Sequence, residues 1–269
     1  MSISKTGSAT IVILDYKRSS NIKNHIIPFL LNESNIDLIV ILHGVCSNIF
    51  GFHLNINERR WNNKILHIEN SQENNKYICW RRWRAIRALC NEGIIKTEYI
   101  LSFDDDILFY KTPNGIVNDM IDTLHRTNSL GVSNNSGGRI IDHIYVVYDW
   151  RNNGTTENSK QIIIGQTMFL KTNTILNAID LAEVITNNKY VEYLYEDDIA
   201  LCMCLVYTLF NNDWLKEFWN GKFSVCNKLK YKILEGFHNG ISSHSDHMYK
   251  RTNAVRFWID QLIKLKSNK

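Results

Sequence analysis

Three aspartates, Asp104, Asp105 and Asp106, stand side by side directly after an apolar segment. That segment, 98–103, predicts a buried strand, so the carboxylates emerge at its carboxyl end, where open α/β sheets build ligand sites. Adjacent like charges repel unless a cation or hydrogen-bond donors neutralise them. Carboxylate oxygens suit Mg²⁺ or Mn²⁺, which bind few protein ligands and also accept phosphate oxygens. The cluster predicts a divalent metal site, with a solvated acidic turn as the alternative.

A second acidic cluster consists of Glu196, Asp197 and Asp198, at the start of a predicted helix over 197–210. Acidic residues in a first helical turn commonly cap the helix and complement its dipole. Taken alone, this cluster is best explained by capping. A catalytic role requires the first acidic cluster as its partner.

Imidazole and basic groups come together near the C-terminus, at His244, His247, Lys250 and Arg251. The imidazoles could supply a metal ligand, and the two cations could bind phosphate oxygens. Taken alone, the segment predicts an exposed polar loop.

A predicted helix over 76–92 carries basic and aromatic residues in alternation. They are Arg81, Arg82, Arg84, Arg87, Trp80 and Trp83. Such a helix could bind nucleic acid, but the formal net charge of the chain is only +4, which is small and scattered. We therefore expect no nucleic-acid partner. The arginines are expected to meet a small anion or an internal carboxylate, with Arg81 as a cofactor-binding residue.

The elements that position these residues alternate between strands and helices. Strands are predicted at 9–14, 36–42, 64–68, 98–103, 144–148 and 161–165, and helices at 76–92, 115–126, 172–186 and 197–210. The stretches 20–31 and 253–265 are amphipathic. Continuous apolar runs are typical of strands covered on both faces. The strand–helix order of the first half predicts an α/β fold with a mostly parallel sheet, and the second half is less regular.

Composition indicates one large domain. The chain has 269 residues, 44% of them hydrophobic and 22% charged, and no Gly/Ser/Pro linker divides it. The start of the chain lacks an apolar signal region, and no apolar run reaches membrane-spanning length. The six cysteines form no CxxC pair, which favours free thiols. We expect a soluble, cytoplasmic protein with no integral membrane segment, or else a trimmed domain of the secretory pathway.

The order of these clusters resembles the GT-A glycosyltransferases, and in particular the exostosin-like group, which transfers N-acetylhexosamine or related sugars from a UDP donor. At the end of the first strand, Tyr16 and Arg18 match the family, whereas Asp15 replaces its threonine. The segment 74–77 is similar to the family's asparagine-asparagine-arginine-phenylalanine. The resemblance implies that Tyr16, Arg18, Asn75 and Lys76 bind the nucleotide, although a lysine lacks the bidentate fork of arginine.

The segment 103–107 matches the triple-aspartate form of the family's DxD motif. This resemblance implies that Asp104 and Asp105 lie near the ribose. It also implies that Asp106 binds Mn²⁺ or Mg²⁺, with Asp104 and His247 as further candidate ligands.

The segment 196–200 is similar to the family's glutamate-aspartate-isoleucine-alanine, with one extra acidic residue. Alignment on Ile-Ala makes Asp198 the catalytic carboxylate, whereas alignment on Glu196 favours Asp197. We prefer Asp198 and keep both. The segment 242–251 resembles a serine-rich loop followed by histidine and arginine, which implies that Arg251 meets the donor β-phosphate. The segment 165–169 resembles the one that faces the acceptor and the donor sugar.

The resemblance covers residues 8–258 and implies one GT-A domain, with a Rossmann-like, mostly parallel central sheet flanked by helices. Its nucleotide-binding half is expected at 8–110 and its acceptor and catalytic half at 111–258, followed by a tail at 259–269. The implied activity is metal-dependent transfer, with retention, of an N-acetylhexosamine or hexose from a UDP-sugar to a carbohydrate, glycoprotein or other hydroxyl acceptor.

Three alternatives remain open from the sequence. The first is an inverting GT-A enzyme of another family, and the second is a non-catalytic protein that binds nucleotide sugars or carbohydrates. The third is a nucleotidyltransferase, which usually carries a glycine-rich loop after its first strand. Residues 14–21 contain no glycine, which argues against the third alternative.

Overall fold

The fold is described by a computed structural model for residues 5–16, 18–43, 59–62, 64–69, 78–134, 137–141, 144–147, 161–187, 191–234 and 247–267. The strands are β1 (Lys5–Asp15), β2 (Ile36–His43), β3 (Arg59–Asn62), β4 (Ile65–Glu69), β5 (Thr97–Asp104), β6 (Ile107–Phe109), β7 (Gly131–Ser133), β8 (Gly137–Ile141), β9 (Ile144–Val147), β10 (Ile163–Ile164), β11 (Thr167–Lys171), β12 (Phe223–Val225) and β13 (Tyr231–Ile233). The helices are α1 (Ser19–Asn21), a π-helical turn (Ile22–Ile26), α2 (Ile27–Leu30), α3 (Ile78–Asn91), α4 (Ile116–Thr127), α5 (Thr172–Thr186), α6 (Asp197–Phe210), α7 (Trp214–Trp219) and α8 (His247–Ser267), with 3-10 turns at Val191–Leu194 and Asn211–Asp213.

Within these ranges, a central sheet of eight strands has the order β12-β7-β11-β5-β1-β2-β4-β3. The pairs β12–β7, β5–β1, β1–β2 and β2–β4 are parallel. Strand β11 runs antiparallel to both of its neighbours, and β3 runs antiparallel to β4. The predicted α/β fold with a mostly parallel central sheet flanked by helices is confirmed.

The central strands are buried on both faces. In β1, Val12 and Leu14 belong to one apolar core, whereas Ile11 and Ile13 belong to the other, because successive side chains of a strand point to opposite faces. The first core contains residues of α3, α5, α6 and α8, and the second contains residues of α2, α4 and the π-helical turn. Double coverage explains why the strand sequences are continuous apolar runs.

Most of the predicted elements coincide with observed ones, and the predicted helices at 172–186 and 197–210 are α5 and α6. The predicted strand at 161–165 is shorter than expected. Only β10 and an isolated bridge between Gln161 and Phe223 form there. The chain then turns through Gln166, whose φ of 60° lies in the left-handed region that interrupts a strand.

The last described helix, α8, is continuous across residue 258, where the sequence predicts the end of the domain. The division at residues 110 and 258 stays a prediction. Within the described ranges, no helix combines the length and apolar character that crossing a bilayer requires.

Candidate functional site

The triple aspartate lies where the carboxyl ends of two neighbouring strands meet. Strand β5 ends at Asp104 and strand β1 ends at Asp15, and the two strands are parallel, with Leu14 opposite Asp104. The backbone N–H of Tyr16, just past the end of β1, donates to Asp105 Oδ2 at 2.7 Å. The first acidic cluster and the start of the β1 loop are therefore in direct contact.

Arg18 binds two of the three aspartates. Its Nε lies 3.1 Å from Asp105 Oδ1, and one of its terminal nitrogens donates to Asp106 Oδ2. Burial alone would lower the pKa of Arg18, but the charges of Asp105 and Asp106 raise it overall. Burial raises the pKa of Asp105 to about 8, although Arg18 and the Tyr16 N–H act in the opposite direction. Arg18 thus supplies part of the positive charge that neutralises the three aspartates.

Asp106 keeps one carboxylate oxygen open. Its Oδ1 is buried and has no hydrogen-bond partner among the described residues. Burial and the neighbouring Asp104 raise the pKa of Asp106, and Arg18 lowers it. One open carboxylate oxygen fits Mg²⁺ or Mn²⁺, which can take their other ligands from phosphate and water.

The predicted ligand set of Asp106, Asp104 and His247 stays a prediction. In the part of the chain that the structure describes, no three His, Cys, Asp or Glu side chains gather into a metal-binding group. The side chain of Asp104 is 39% exposed, so it is open to solvent. His247 is the first residue of α8, and its side chain lies outside the described part of the structure.

Among the described residues, Asp197 is bound through Oδ2. Its Oδ2 accepts a hydrogen bond from Trp83 Nε1 at 2.7 Å and lies 3.1 Å from Arg82 Nε. Its Oδ1 makes no hydrogen bond to the residues that the structure describes. Burial raises the pKa of Asp197 to about 6, although Arg82 lowers it. Asp197 Oδ1 is thus without a donor among the described residues, and the pKa of this carboxylate lies not far below neutrality.

Asp198 and Glu196 are held by Arg251, which α8 contributes. One terminal nitrogen of Arg251 lies 2.5 Å from Glu196 Oε2 and 3.1 Å from Asp198 Oδ1, and the other contacts Asp198 Oδ2. Asp198 Oδ1 also accepts from the Ile199 N–H at 2.9 Å. Both oxygens of Asp198 are therefore occupied. Burial raises the pKa of Glu196 to about 7.

The α6 cluster differs from ordinary helix capping. The N-cap residue, Glu196, makes no side-chain hydrogen bond to the helix, and its carboxylate binds Arg251 instead. A helix whose first turn merely needed a cap would aim these oxygens at its own N–H groups. All three carboxylates contact arginines of α3 or α8, and among them Asp198 also accepts from an N–H of its own helix, that of Ile199.

Gly165 makes room for Asp198. A Cβ atom at this position would lie 2.5 Å from Asp198 Oδ2, closer than non-bonded atoms approach. Strand β11 follows at once and begins opposite Phe103, near the end of β5. The predicted acceptor-facing segment 165–169 thus reaches the same edge of the sheet as both acidic clusters.

Arg82 joins the two acidic clusters. One terminal nitrogen lies 3.0 Å from Asp104 Oδ1, while its Nε lies 3.1 Å from Asp197 Oδ2 and donates to the Cys79 carbonyl at 3.1 Å. Burial alone would lower the pKa of Arg82, but Asp197 and Asp104 raise it, so the side chain stays cationic. The buried guanidinium of Arg82 therefore contacts a carboxylate of each acidic cluster.

Sequence reasoning selected Arg81 on this helix and missed the role of Arg82. Arg81 is also buried and lies one position earlier on α3. The spacing of residues along the helix could have identified Arg82. It shares a helix face with Ile86 and Leu89, which are both buried. A charge within an apolar stripe requires a partner. Glu196 was likewise not selected, because its contact with Arg251 depends on where α8 packs.

Of the remaining predicted nucleotide-binding residues, Tyr16 lies within the described part of the structure, whereas Asn75 and Lys76 do not. Tyr16 is partly buried against the first core, next to the Arg18 contacts. Asn75 and Lys76 lie outside the described residues, so their predicted role stays a prediction.

The fold is an α/β architecture with a mostly parallel central sheet flanked by helices, the fold class that the sequence predicts. A solved structure of Staphylococcus aureus TarS, residues 1–349 in complex with UDP, is similar to 94% of this chain with a TM-score of 0.51 and 13% identity. The chain spans 65% of that TarS chain. The structure of TarS 1–349 alone has a TM-score of 0.47 at 13% identity, over 96% of this chain and 72% of the TarS chain. The structure of TarS 1–349 with UDP-GlcNAc has a TM-score of 0.47 at 10% identity, over 90% of this chain and 60% of the TarS chain.

No protein-family profile and no curated protein matches the chain. The similarity to TarS therefore defines the fold, and no match assigns the chain to the exostosin-like group.

Proposed function

We propose that this chain is a glycosyltransferase that moves a sugar from a UDP-sugar to a hydroxyl acceptor. The observation that carries this proposal is a pair of carboxylates, Asp106 and Asp197, in clusters that share the Arg82 guanidinium. In each of them, Oδ1 makes no hydrogen bond to the residues that the structure describes. Transfer from a nucleotide sugar needs charge neutralisation at the diphosphate and a group beside the reacting sugar. The shared fold with TarS, whose structure holds UDP, supports the choice of nucleotide.

The donor diphosphate is assigned to the Asp106 side of the site. A Mg²⁺ or Mn²⁺ ion held by Asp106 would supply positive charge that stabilises the leaving UDP. Arg18, which binds Asp105 and Asp106, is close enough to exchange one carboxylate for a phosphate oxygen, since guanidinium groups bind both. The exposed carboxylate of Asp104 is available to the ribose, as the resemblance implies.

Asp197 is the general base in this proposal and accepts the proton of the acceptor hydroxyl. Its Oδ1 is open, and its pKa of about 6 leaves it mostly ionised at neutral pH, as a general base requires. Asp198, which we preferred from the sequence, has both oxygens engaged by Arg251 and the Ile199 N–H. In this proposal Asp198 and Arg251 hold the start of α6 in place, and Asp197 acts on the acceptor.

The stereochemical course follows from the role of Asp197. The exostosin-like resemblance predicts retention, whereas a general base beside the acceptor belongs to an inverting displacement. We favour inversion because Asp197 has an open oxygen, and retention remains the second candidate, supported by the motif matches. Proton NMR of the first product formed from an α-linked donor distinguishes the two, since inversion gives a β-anomer.

The donor sugar is proposed to be an N-acetylhexosamine or a hexose, and the acceptor a glycan or glycoprotein. The exostosin-like resemblance supports these finer assignments. Arg84 and Arg87 of the basic helix pair with Glu183 and Asp180, so this face of α3 contacts carboxylates of α5. That pairing supports the expectation that nucleic acid is not a partner.

Thermal-shift screening with UDP-, GDP- and CMP-sugars, with and without Mn²⁺, tests the proposal. A UDP-sugar at a hundred times its Kd should stabilise the chain by about 2.7 kcal/mol, and UDP release should then rise with Mn²⁺. Failure of every UDP-sugar to stabilise the protein would contradict the proposal. UDP binding without sugar transfer or hydrolysis would instead support the non-catalytic binding protein.

A further inference from the structure

A short strand that carries a tyrosine pairs with the strand that follows the triple aspartate. Strand β13 pairs antiparallel with β6, and β6 begins directly after Asp106. Tyr231 lies opposite Phe109, and the Leu234 N–H donates to the backbone oxygen of Asp106 at 2.7 Å. Strand β13 is thus bonded to the backbone of the proposed metal-binding residue itself.

The Tyr231 hydroxyl is buried and lacks a hydrogen-bond partner among the described residues. Burial raises the pKa of Tyr231, and the nearby negative charge of Asp106 raises it further. The phenol therefore keeps its proton and lies within the field of that carboxylate. A buried hydroxyl without a partner costs free energy, and such a group in a native protein requires an explanation.

Asp106 Oδ1 is also buried and has no hydrogen-bond partner among the described residues, and it belongs to the residue whose backbone oxygen bonds the end of the β13 segment. The two atoms have opposite hydrogen-bonding character, because a protonated phenol donates and a carboxylate oxygen accepts. They nevertheless do not bond each other. A ligand that offers an oxygen to Tyr231 and positive charge to Asp106 would satisfy both, and an oxygen bound to a divalent cation has this combination.

We propose that Tyr231 is a ligand-binding residue of the donor site, whose hydroxyl donates a hydrogen bond to a ligand oxygen beside Asp106. That oxygen belongs to the donor diphosphate or to a water on the divalent cation. The inference rests on the proposed function, because UDP supplies the diphosphate. Tyr231 keeps its proton throughout, so its contribution is to affinity and orientation.

The test compares Tyr231→Phe with Tyr207→Phe in the full chain. Tyr207 is a matched control because its hydroxyl is also buried without a partner among the described residues. It lies about 15 Å along α6 from Asp197, and its ring packs against Trp214. Isothermal titration calorimetry then measures UDP alone, Mn²⁺ alone and UDP with Mn²⁺.

Tyr231→Phe should weaken UDP binding in the presence of Mn²⁺ about tenfold, as expected for a lost hydrogen bond to a charged group. Tyr207→Phe should leave this affinity within about twofold of wild type, because its hydroxyl does not reach a ligand. Neither variant should melt at a lower temperature than wild type, since each loses only a hydroxyl that has no hydrogen-bond partner among the described residues.

The separate titrations identify the acceptor of the hydrogen bond. Weaker binding of UDP alone assigns it to the diphosphate, whereas weaker binding of Mn²⁺ alone assigns it to a metal-bound water, and either result supports the proposal. Unchanged UDP–Mn²⁺ affinity in Tyr231→Phe, or an equal loss in Tyr207→Phe, overturns it. A wild-type protein that binds no UDP overturns the proposed function as well, which separates the two failures.

Discussion

Arg82 and Asp197 form a buried ion pair between α3 and the start of α6, with Nε 3.1 Å from Oδ2. The same guanidinium lies 3.0 Å from Asp104 Oδ1. The proposed donor side and the proposed base are therefore electrostatically coupled through a single side chain. A change at Arg82 must act on both at once, which makes it the most informative position for mutagenesis.

Arg82→Gln is expected to reduce both stability and activity. Loss of one partner of a buried pair leaves uncompensated charge, which costs about 3–5 kcal/mol. Because Arg82 lowers the pKa of Asp197, its removal should raise that pKa and move the acid limb of the kcat/KM profile to higher pH. Urea denaturation and a pH–rate profile at low temperature measure the two effects.

Arg84→Gln is the matched control on the same helix. Arg84 pairs with Glu183 at 2.8 Å, and its side chain is partly exposed, so its loss should cost at most about 1 kcal/mol. The pH profile of Arg84→Gln should coincide with that of wild type. An equal shift of the acid limb in both variants would show that the effect is general and would refute the specific role of Arg82.

Asp197→Asn and Asp198→Asn should fail in different ways. Loss of a general base typically costs a factor of about 10²–10⁴ in rate, so Asp197→Asn should lose kcat by that factor and keep UDP affinity. It should also melt at a lower temperature, because Arg82 loses one partner of a buried pair. Asp198→Asn weakens the Arg251 contacts, and its main effect should be a lower melting temperature with kcat within about tenfold of wild type. Steady-state kinetics separate the two variants, since both should melt at a lower temperature but only Asp197→Asn should lose more than about tenfold in kcat. UDP calorimetry checks that Asp197→Asn still binds the nucleotide.

The reverse pattern would favour the assignment that the sequence alignment preferred. Asp198→Asn would then lose kcat at unchanged stability, and Asp197→Asn would turn over at a near-native rate. Near-native rates in both variants would remove the general-base step altogether.

Activity should depend on pH through Asp197. A base must be unprotonated to act, and the pKa of Asp197 is about 6. We therefore expect kcat/KM to be constant above about pH 7 and to fall about tenfold per pH unit well below pH 6. Initial rates at constant ionic strength measure this limb, and the residual activity of Asp197→Asn should lack it. A wild-type profile flat down to pH 4.5 would contradict the assignment.

Gly165→Ala should disturb Asp198 without touching any charge. The added Cβ would lie 2.5 Å from Asp198 Oδ2, so the carboxylate must move away from Arg251 or β11 must shift. Overpacking of this kind costs about 1–3 kcal/mol. Thermal melts and UDP-release rates should both decline, and wild-type values for both would show that Asp198 has room to move.

The sheet and its functional edge could be predicted because they depend on local patterns. The apolar run before Asp104 indicates a buried strand, and any residue that follows such a strand lies at its carboxyl end. The strands β3, β6, β7, β8, β11, β12 and β13 were not predicted, and the shortest of them have three residues, too few for a usable periodicity. That omission also hid Tyr231, whose position depends on its pairing with β6.

The choice between Asp197 and Asp198 could not be made from sequence. Both open α6, and alignment on either flank places a different one at the family's catalytic position. Their environments differ because α3 carries Trp83 and Arg82 to Asp197, whereas α8 carries Arg251 to Asp198. Such contacts between distant helices follow from packing of the whole chain, which no local pattern encodes.

The shared guanidinium of Arg82 also constrains how this protein can evolve. A descendant that gave up catalysis could not discard Asp197 by a single substitution without loss of stability, because Arg82 would remain buried with less compensating charge. Drift toward a purely ligand-binding role would require paired replacements at both positions. Among relatives of this chain, joint loss of the arginine and the aspartate would therefore mark lineages that have abandoned sugar transfer.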